Sequence, residues 1–325
     1  MQVPDIGQGA VQGRLLLGSL RALARSDWAV PVAAGFRTLP AVDGAAAIRI
    51  DARDAAVLQR ALTGIDAVVN CVAGDAATIV ASAQALYMAC AASVPVHRVV
   101  SLSSMMVYGC ASGTVDETAP LRGDYDAYSA AKAEVERLFR NYPNVVHLRP
   151  GIVYGPGSPL WTGRIGGWLR EQRLGDLGSA ARGCCNLVHV DDVAEAVVRA
   201  LRLPGIEGDA FNLSLPTSPT WNEYFRQFAA ALGTDFVPIS PSRLQAELYL
   251  FGPALKLAEV FARVLHREHR GSQPLRPWLL RLCNHSLRLD AGKAERVLGM
   301  RWIALDEGLR QSANWLAGAG GMPAP

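Results

Sequence analysis

Short β-branched runs alternate with alanine- and leucine-rich stretches through the first 150 residues, and no other feature limits the fold as strongly. Ala29–Ala34, Ala47–Ile50, Ala67–Val72, Arg98–Leu102 and Val145–Leu148 read as strands. Arg14–Arg25, Ala55–Leu62, Ile79–Ala92 and Tyr128–Asn141 read as helices between them. Helical segments joining consecutive strands predict right-handed βαβ units, hence a parallel sheet covered on both faces. An α/β protein built on a doubly wound parallel sheet is therefore expected, and such sheets bind ligands beyond the carboxyl ends of their strands. After Gly151 the texture changes to GIVYGPGSPLWTGRIGGW and then to helices with aromatic residues, which reads as a smaller substrate-binding portion.

Composition excludes several function classes. The 325 residues are 50% hydrophobic and 19% charged, enough for a large core and without a disordered signature. A net charge of +3, spread without basic runs, argues against a nucleic-acid partner. Six cysteines lie scattered at 71, 90, 110, 184, 185 and 283, with no C-x-x-C pair and no histidine spacing for a metal site. They read as reduced thiols of a cytoplasmic protein. The N-terminus, MQVPDIGQGA, shows no secretory signal. No apolar run reaches the roughly 18 residues of a membrane span. Leu244–Leu265 comes nearest, but Glu247, Lys256, Glu259 and Arg263 interrupt it. A helical pair over the core is expected there, with peripheral membrane contact left open.

Gly7, Gly9 and Gly13 fall between a short first strand and the helix from Arg14. Glycines at such a junction allow a tight turn and let backbone N–H groups approach a pyrophosphate. Ala10 takes the middle slot of the pattern, and Pro4 and Asp5 make the strand irregular. About twenty residues on, where an NAD site carries an acidic side chain, the sequence runs Val32-Ala-Ala-Gly-Phe-Arg37. The missing carboxylate and the nearby cation favour NADP(H), with Arg37 on the 2′-phosphate. NAD(H) stays compatible, and Arg37 is equally readable as a solvated loop arginine. Asp51 is a candidate acceptor for the adenine amino group or the N-cap of the next helix.

Tyr128-Ser-Ala-Ala-Lys132 opens the helical stretch YSAAKAEVERLFRN. Spacing of i and i+4 puts both side chains on one face. A phenol with a pKa near 10 needs help to exchange a proton at neutral pH, and a nearby ammonium favours phenolate. Ser104, at the end of the strand SLSS, can hold a substrate oxygen while its charge changes. These three roles suffice for reversible proton transfer while a nicotinamide carries hydride.

Together these pieces resemble the extended short-chain dehydrogenase/reductases, the NAD-dependent epimerase/dehydratase family. The resemblance takes in the Gly7–Gly13 turn, Asp51, Asn70-Cys-Val-Ala-Gly74, Ser103-Ser-Met-Met-Val-Tyr-Gly109 and the Tyr128–Lys132 motif. It continues through Leu148-Arg-Pro-Gly-Ile-Val-Tyr-Gly-Pro156, Val188-His-Val-Asp-Asp-Val-Ala194, Phe211-Asn-Leu213 and Asp290–Gly299. It implies a Rossmann-like core over 1–155, to which 186–215 returns, with 156–325 mainly binding substrate. It also implies Tyr128 as acid/base, Lys132 as its modulator and ribose ligand, and Ser104 as partner of the substrate oxygen. Ala73, Pro150, Ile152 and Val153 are implied cofactor contacts. A homodimer through the helix carrying Tyr128 and Lys132 is compatible with the resemblance.

Departures from the family pattern narrow the chemistry. Sugar-nucleotide dehydratases carry an acidic pair after the catalytic hydroxyl, where this chain has Met105-Met106. Epimerases carry an Arg-Asp-aromatic run that grips the diphosphate, where this chain has Cys185-Asn186-Leu187, with Arg182 nearby. Simple oxidoreduction of a small, apolar carbinol or ketone is then expected, and the tail and the helical insert around Leu244–Arg270 resemble the 3β-hydroxysteroid dehydrogenase-like branch more than the sugar branch. Trp161, Trp168, Trp221, Phe225, Leu250, Phe251 and Phe261 supply aromatic and apolar lining or ordinary core, and Tyr108 and Tyr154 are expected near the site. His189 reads as a structural strand-end histidine and Cys184-Cys185 as inert. A nucleotide-sugar epimerase or reductase, and a non-catalytic dinucleotide-binding protein, remain the alternatives.

Overall fold

The computed structural model describes residues 18–19, 21–35, 43–94, 96–251 and 275–318. In chain order the first half holds β1 (Val32–Gly35), β2 (Ala46–Arg49), α1 (Ala55–Ala61), β3 (Ala67–Asn70), α2 (Ala76–Ala91), β4 (Arg98–Leu102), β5 (Gly113–Val115), α3 (Ala127–Leu138) and β6 (Val145–Pro150). The second half holds β7 (Ile152–Tyr154), α4 (Ile165–Arg170), β8 (Leu187–His189), α5 (Val190–Arg202), β9 (Ala210–Leu213) and α6 (Trp221–Ala231). It ends with α7 (Pro241–Ala246), α8 (Pro277–Cys283), β10 (Leu287–Leu289), α9 (Gly292–Val297) and α10 (Leu305–Gly318).

Local chemistry explains the boundaries. β1 begins after Pro31, which has no N–H to give a ladder, so the strand starts later than its β-branched run suggests. α2 starts three residues earlier than its apolar periodicity, because the Asp75 carboxylate accepts from Thr78 N at 2.8 Å. β4 and β6 are buried along their whole lengths, as strands covered on both faces must be.

The strands β3-β4-β6-β9 form one parallel sheet in that order, and β1-β2, β7-β8 and β5-β10 are parallel pairs. Helix α2 joins β3 to β4, α3 joins β4 to β6, and α5 precedes β9, which pairs with β6. This is a Rossmann-like α/β fold. Successive residues of β4 serve opposite faces: Val99 packs with Leu86, Val135 and Phe139 beneath α2 and α3, while Val100 packs with Val193, Val197 and Phe211 beneath α5. A third core lies in the second half, where Trp168, Trp221 and Phe225 are almost fully buried. The Tyr224 and Phe228 rings stack within it at 5.9 Å. Those tryptophans and Phe225 are core, not pocket lining. Of the Leu244–Leu265 stretch, residues up to 251 are described, as α7 and a following π-helical turn held by the Glu247–Arg173 ion pair. Among the described residues no helix is long and apolar enough to cross a membrane.

Asp192, in the first turn of α5, ties the C-terminal segment to the sheet by accepting from Ile303 N at 3.2 Å. Burial, reinforced by the charges of Asp191 and Glu195, pushes its carboxyl up to about 6 against the pull of the Ile303 N–H. The folded state thus binds this proton more tightly than the unfolded chain does. Its contribution is full below about pH 4 and is lost as pH rises through 6. Asp192→Asn keeps the acceptor without the charge. It should gain about 2–3 kcal/mol over the parent at pH 7.5 and nothing at pH 4, read by urea unfolding at both values.

Candidate active site

The carboxyl end of β4 delivers Ser103 and Ser104 to a single 3-10 turn, Met105–Tyr108. Ser104 caps that turn, its Oγ accepting from Met106 N at 3.2 Å. Gly109 ends it at φ 59°, where a Cβ would fall 1.8 Å from Asp124 Oδ1, so no other residue fits. Met105 and Met106 point into the core, and Asn186 Nδ2 donates to Met105 Sδ at 3.7 Å. The turn that follows Ser104, Met105–Tyr108, contains no acid.

Helix α3 brings Tyr128 and Lys132 to the same place. Asp126 caps it reciprocally with Ser129: Asp126 Oδ1 accepts from Ser129 N at 2.8 Å, and Ser129 Oγ accepts from Asp126 N at 3.0 Å. That box fixes the first turn, on which half-buried Tyr128 sits. Alanines at 130, 131 and 133 and Gly123 let the helix approach closely. Lys132 is 4% exposed, its Nζ donates to Leu102 O at 2.8 Å, and it lies 5.8 Å from the Tyr128 ring centre. The predicted trio therefore meets at the end of β4.

Burial dominates the electrostatics. It pushes the Tyr128 phenol up to about 12, while an interaction with the Ser104 hydroxyl pulls the other way. It pushes Lys132 down to about 8, opposed by Cys71 and Glu136. The phenol is thus a proton donor at neutral pH. Lys132 donates to the strand carbonyl, and the Asp126 charge adds to the desolvation that keeps the phenol protonated.

Beneath the trio runs a buried polar network. Ser103 Oγ donates to Glu136, and Arg149 forks onto the same carboxylate at 2.6 to 3.2 Å. Arg149 also donates to Tyr108 Oη at 2.8 Å, and Tyr108 Oη donates to Asn212 Oδ1 at 2.7 Å. The Ser103 hydroxyl therefore serves Glu136. Tyr108 and Tyr154 are fully buried, so neither lines a pocket. Glu136 and Arg149 are not among the residues predicted for the site, although the 128/132/136 spacing and an arginine inside the apolar VVHLRP run are visible in the sequence.

Gly7, Gly9, Ala10, Gly13 and Arg37 lie outside the described residues. Asp51 follows β2, where its carboxylate pairs with Arg53 at 2.7 Å and is held down to about 2 by it. The cap of α1 is Asp54, which accepts from Val57 N at 3.0 Å, so the capping alternative for Asp51 is wrong. Ala73 and Gly74 follow β3. Gly74 has φ 155°, and a Cβ there would come within 3.0 Å of Thr78. Pro150, Ile152 and Val153 continue β6 into β7. Ala73 follows β3 and Pro150 ends β6, on the sheet edge where Leu102 O at the end of β4 holds the Lys132 ammonium, a donor whose chemistry fits a ribose hydroxyl. His189 is structural: Nδ1 accepts from Asp191 N at 3.3 Å, capping α5.

Residues 19–214 match the model of the NAD dependent epimerase/dehydratase family. The chain belongs to that family. It is 28% identical over 250 residues to a 2'-dehydrokanamycin reductase from Streptomyces kanamyceticus, covering 72% of this chain and 69% of the relative. It is 32% identical over 142 residues to protein YeeZ of Escherichia coli K12, a match spanning 43% of this chain and about half (48%) of YeeZ. Among solved structures, MoeE5 in complex with UDP-glucuronic acid and NAD superposes with a TM-score of 0.70 at 23% identity, covering 96% and 97% of the two chains. A UDP-glucose 4-epimerase from Thermotoga maritima, solved with UDP-glucose, gives 0.68 at 17% identity, covering 97% and 96%. At these identities the structures establish a shared fold.

The Glu136–Arg149 pair yields a stability prediction. Arg149→Met leaves a buried carboxylate without its cation and should cost about 3–5 kcal/mol in chemical denaturation at pH 7. A loss below 1 kcal/mol would show that the pair does not bear on folding.

Proposed function

We propose that this family member is an NAD(P)(H)-dependent oxidoreductase that transfers hydride reversibly at a carbinol or ketone, with Ser104, Tyr128 and Lys132 as its catalytic residues. The meeting of those three side chains at the end of β4, with no acid in the adjoining turn, is the observation that carries the reading. Gly7, Gly9, Ala10, Gly13, Arg37, Asp51, Ala73, Pro150, Ile152 and Val153 would contact the cofactor, and Arg37 favours NADP(H). The bound nicotinamide supplies or accepts the hydride. Ser104 donates to the substrate oxygen, Tyr128 passes it a proton, and the Lys132 charge favours the phenolate left behind. A phenol protonated at neutral pH suits the reductive direction. Similarity to a reductase of an oxidised aminoglycoside supports carbonyl reduction, and the substrate would enter between the sheet edge and the portion beyond residue 156.

A nucleotide-sugar substrate is the second reading, favoured by relatives solved with UDP-sugars and NAD. Against it, Asn186 is 1% exposed and fully engaged, donating to Leu287 O at 2.8 Å and accepting from Leu289 N at 2.9 Å. It has no group left to hold a diphosphate.

Tyr128→Phe should lower kcat at least about 100-fold while dinucleotide affinity stays within about 3-fold, measured by NADPH consumption over apolar ketones and oxidised sugars. Retained turnover would sink the assignment. Calorimetric titration with NADPH, NADP, NADH and NAD should give tightest binding to the phosphorylated forms. Tightly co-purified NAD, with UDP-glucose raising the melting temperature, would favour the epimerase reading instead.

A further inference from the structure

We propose that an internal water molecule is bound between β4 and β6 beneath α3, bridging Ser101 Oγ and His147 Nδ1. Ser101 on β4 and His147 on β6 are register partners in the parallel sheet. Alternation along the two strands puts both side chains on the face that α3 covers. On that face, one step toward the carboxyl edge, Ser103 and Arg149 meet Glu136 of α3. One step the other way, Val99 and Val145 pack with Val135 and Phe139. Ser101 and His147 therefore form a polar rung between the ion-pair network and an apolar core. They are 1% and 5% exposed, and neither Ser101 Oγ nor His147 Nδ1 has a hydrogen-bond partner among the described residues.

A buried polar atom without a partner is costly, and native proteins satisfy such atoms with ordered water. Register partners on adjacent strands start about 4.8 Å apart. A water making a hydrogen bond of about 2.8 Å on each side spans such a separation, and it joins two atoms too far apart to bond each other. Its chemistry suits both partners. A serine hydroxyl gives and takes a hydrogen bond, Nδ1 does one or the other according to tautomer, and water does both. A charged ligand does not fit. The Glu136 carboxylate and the Arg149 guanidinium that face His147 already pair with each other. Burial, with the Arg149 charge acting in the same direction, drives His147 toward its neutral form. The water would tie β4 to β6 through their side chains, directly under the layer that carries Ser103, whatever reaction runs above it.

A high-resolution crystal structure of the full chain should show a density peak within about 3.2 Å of both Ser101 Oγ and His147 Nδ1. In solution, water-oxygen relaxation dispersion of the wild type should exceed that of Ser101→Ala by about one long-lived water. Ser101→Ala should also raise the unfolding constant about 5- to 30-fold in urea, because His147 loses its bridge. Two well-ordered side chains with no peak between them, or a direct hydrogen bond from one to the other, would overturn the proposal. So would equal dispersion in the wild type and a folded Ser101→Ala variant. The wild-type density decides by itself should that variant fail to fold.

Discussion

The ion pair between Glu136 on α3 and Arg149 on β6 is the interaction on which the site depends. Both side chains are withdrawn from water, at 3% and 6% exposure. Burying two charges carries a large desolvation cost, recovered only where the geometry is good and the remaining polar atoms are satisfied. Here the arginine forks onto both carboxylate oxygens, Ser103 supplies another donor, and Tyr108 and Asn212 extend the chain of bonds to β9. The network pins the helix carrying Tyr128 and Lys132 to the strand end carrying Ser104. A hydrophobic contact in the same place would leave the helix freer to slide, because apolar packing is not directional.

Burial then shapes the chemistry above the network. The surroundings that make Tyr128 a reluctant acid also make Lys132 a reluctant cation, since desolvation penalises whichever form is charged. The Ser104 hydroxyl offsets the first effect. At neutral pH the site thus holds a neutral phenol beside an ammonium.

Two departures from the family's sequence pattern meet in space. Where a dehydratase-like acid would follow Ser104, Met105 turns inward, and its sulfur accepts from Asn186. Asn186 is itself the residue that stands where a diphosphate-gripping arginine run would lie, and it is spent on β10. One contact thus joins both departures, and both side chains are packed in the core. Shared fold with UDP-sugar enzymes is compatible with this change, because a fold hosts many chemistries while the site decides among them.

Much of the architecture was legible before any coordinates. The βαβ alternation, the strand Arg98–Leu102 and the i, i+4 placement of Tyr128 and Lys132 follow from periodicity and chain geometry alone, which act over a few residues. The family assignment followed from those motifs as well. Capping was less legible, because Asp51, Asp54 and Asp75 look alike in sequence and only the backbone path chooses which one meets a helix N–H. The tyrosines at 108 and 154 and the aromatic residues at 168, 221 and 225 could not be sorted into wall or core, since hydrophobicity is the same in both places. Tertiary structure alone joined Glu136 to Arg149, thirteen residues apart, and placed Asn186 on Met105 and β10. Long-range polar pairing depends on register and helix docking, which no local pattern encodes, and it decided how the predicted trio is held.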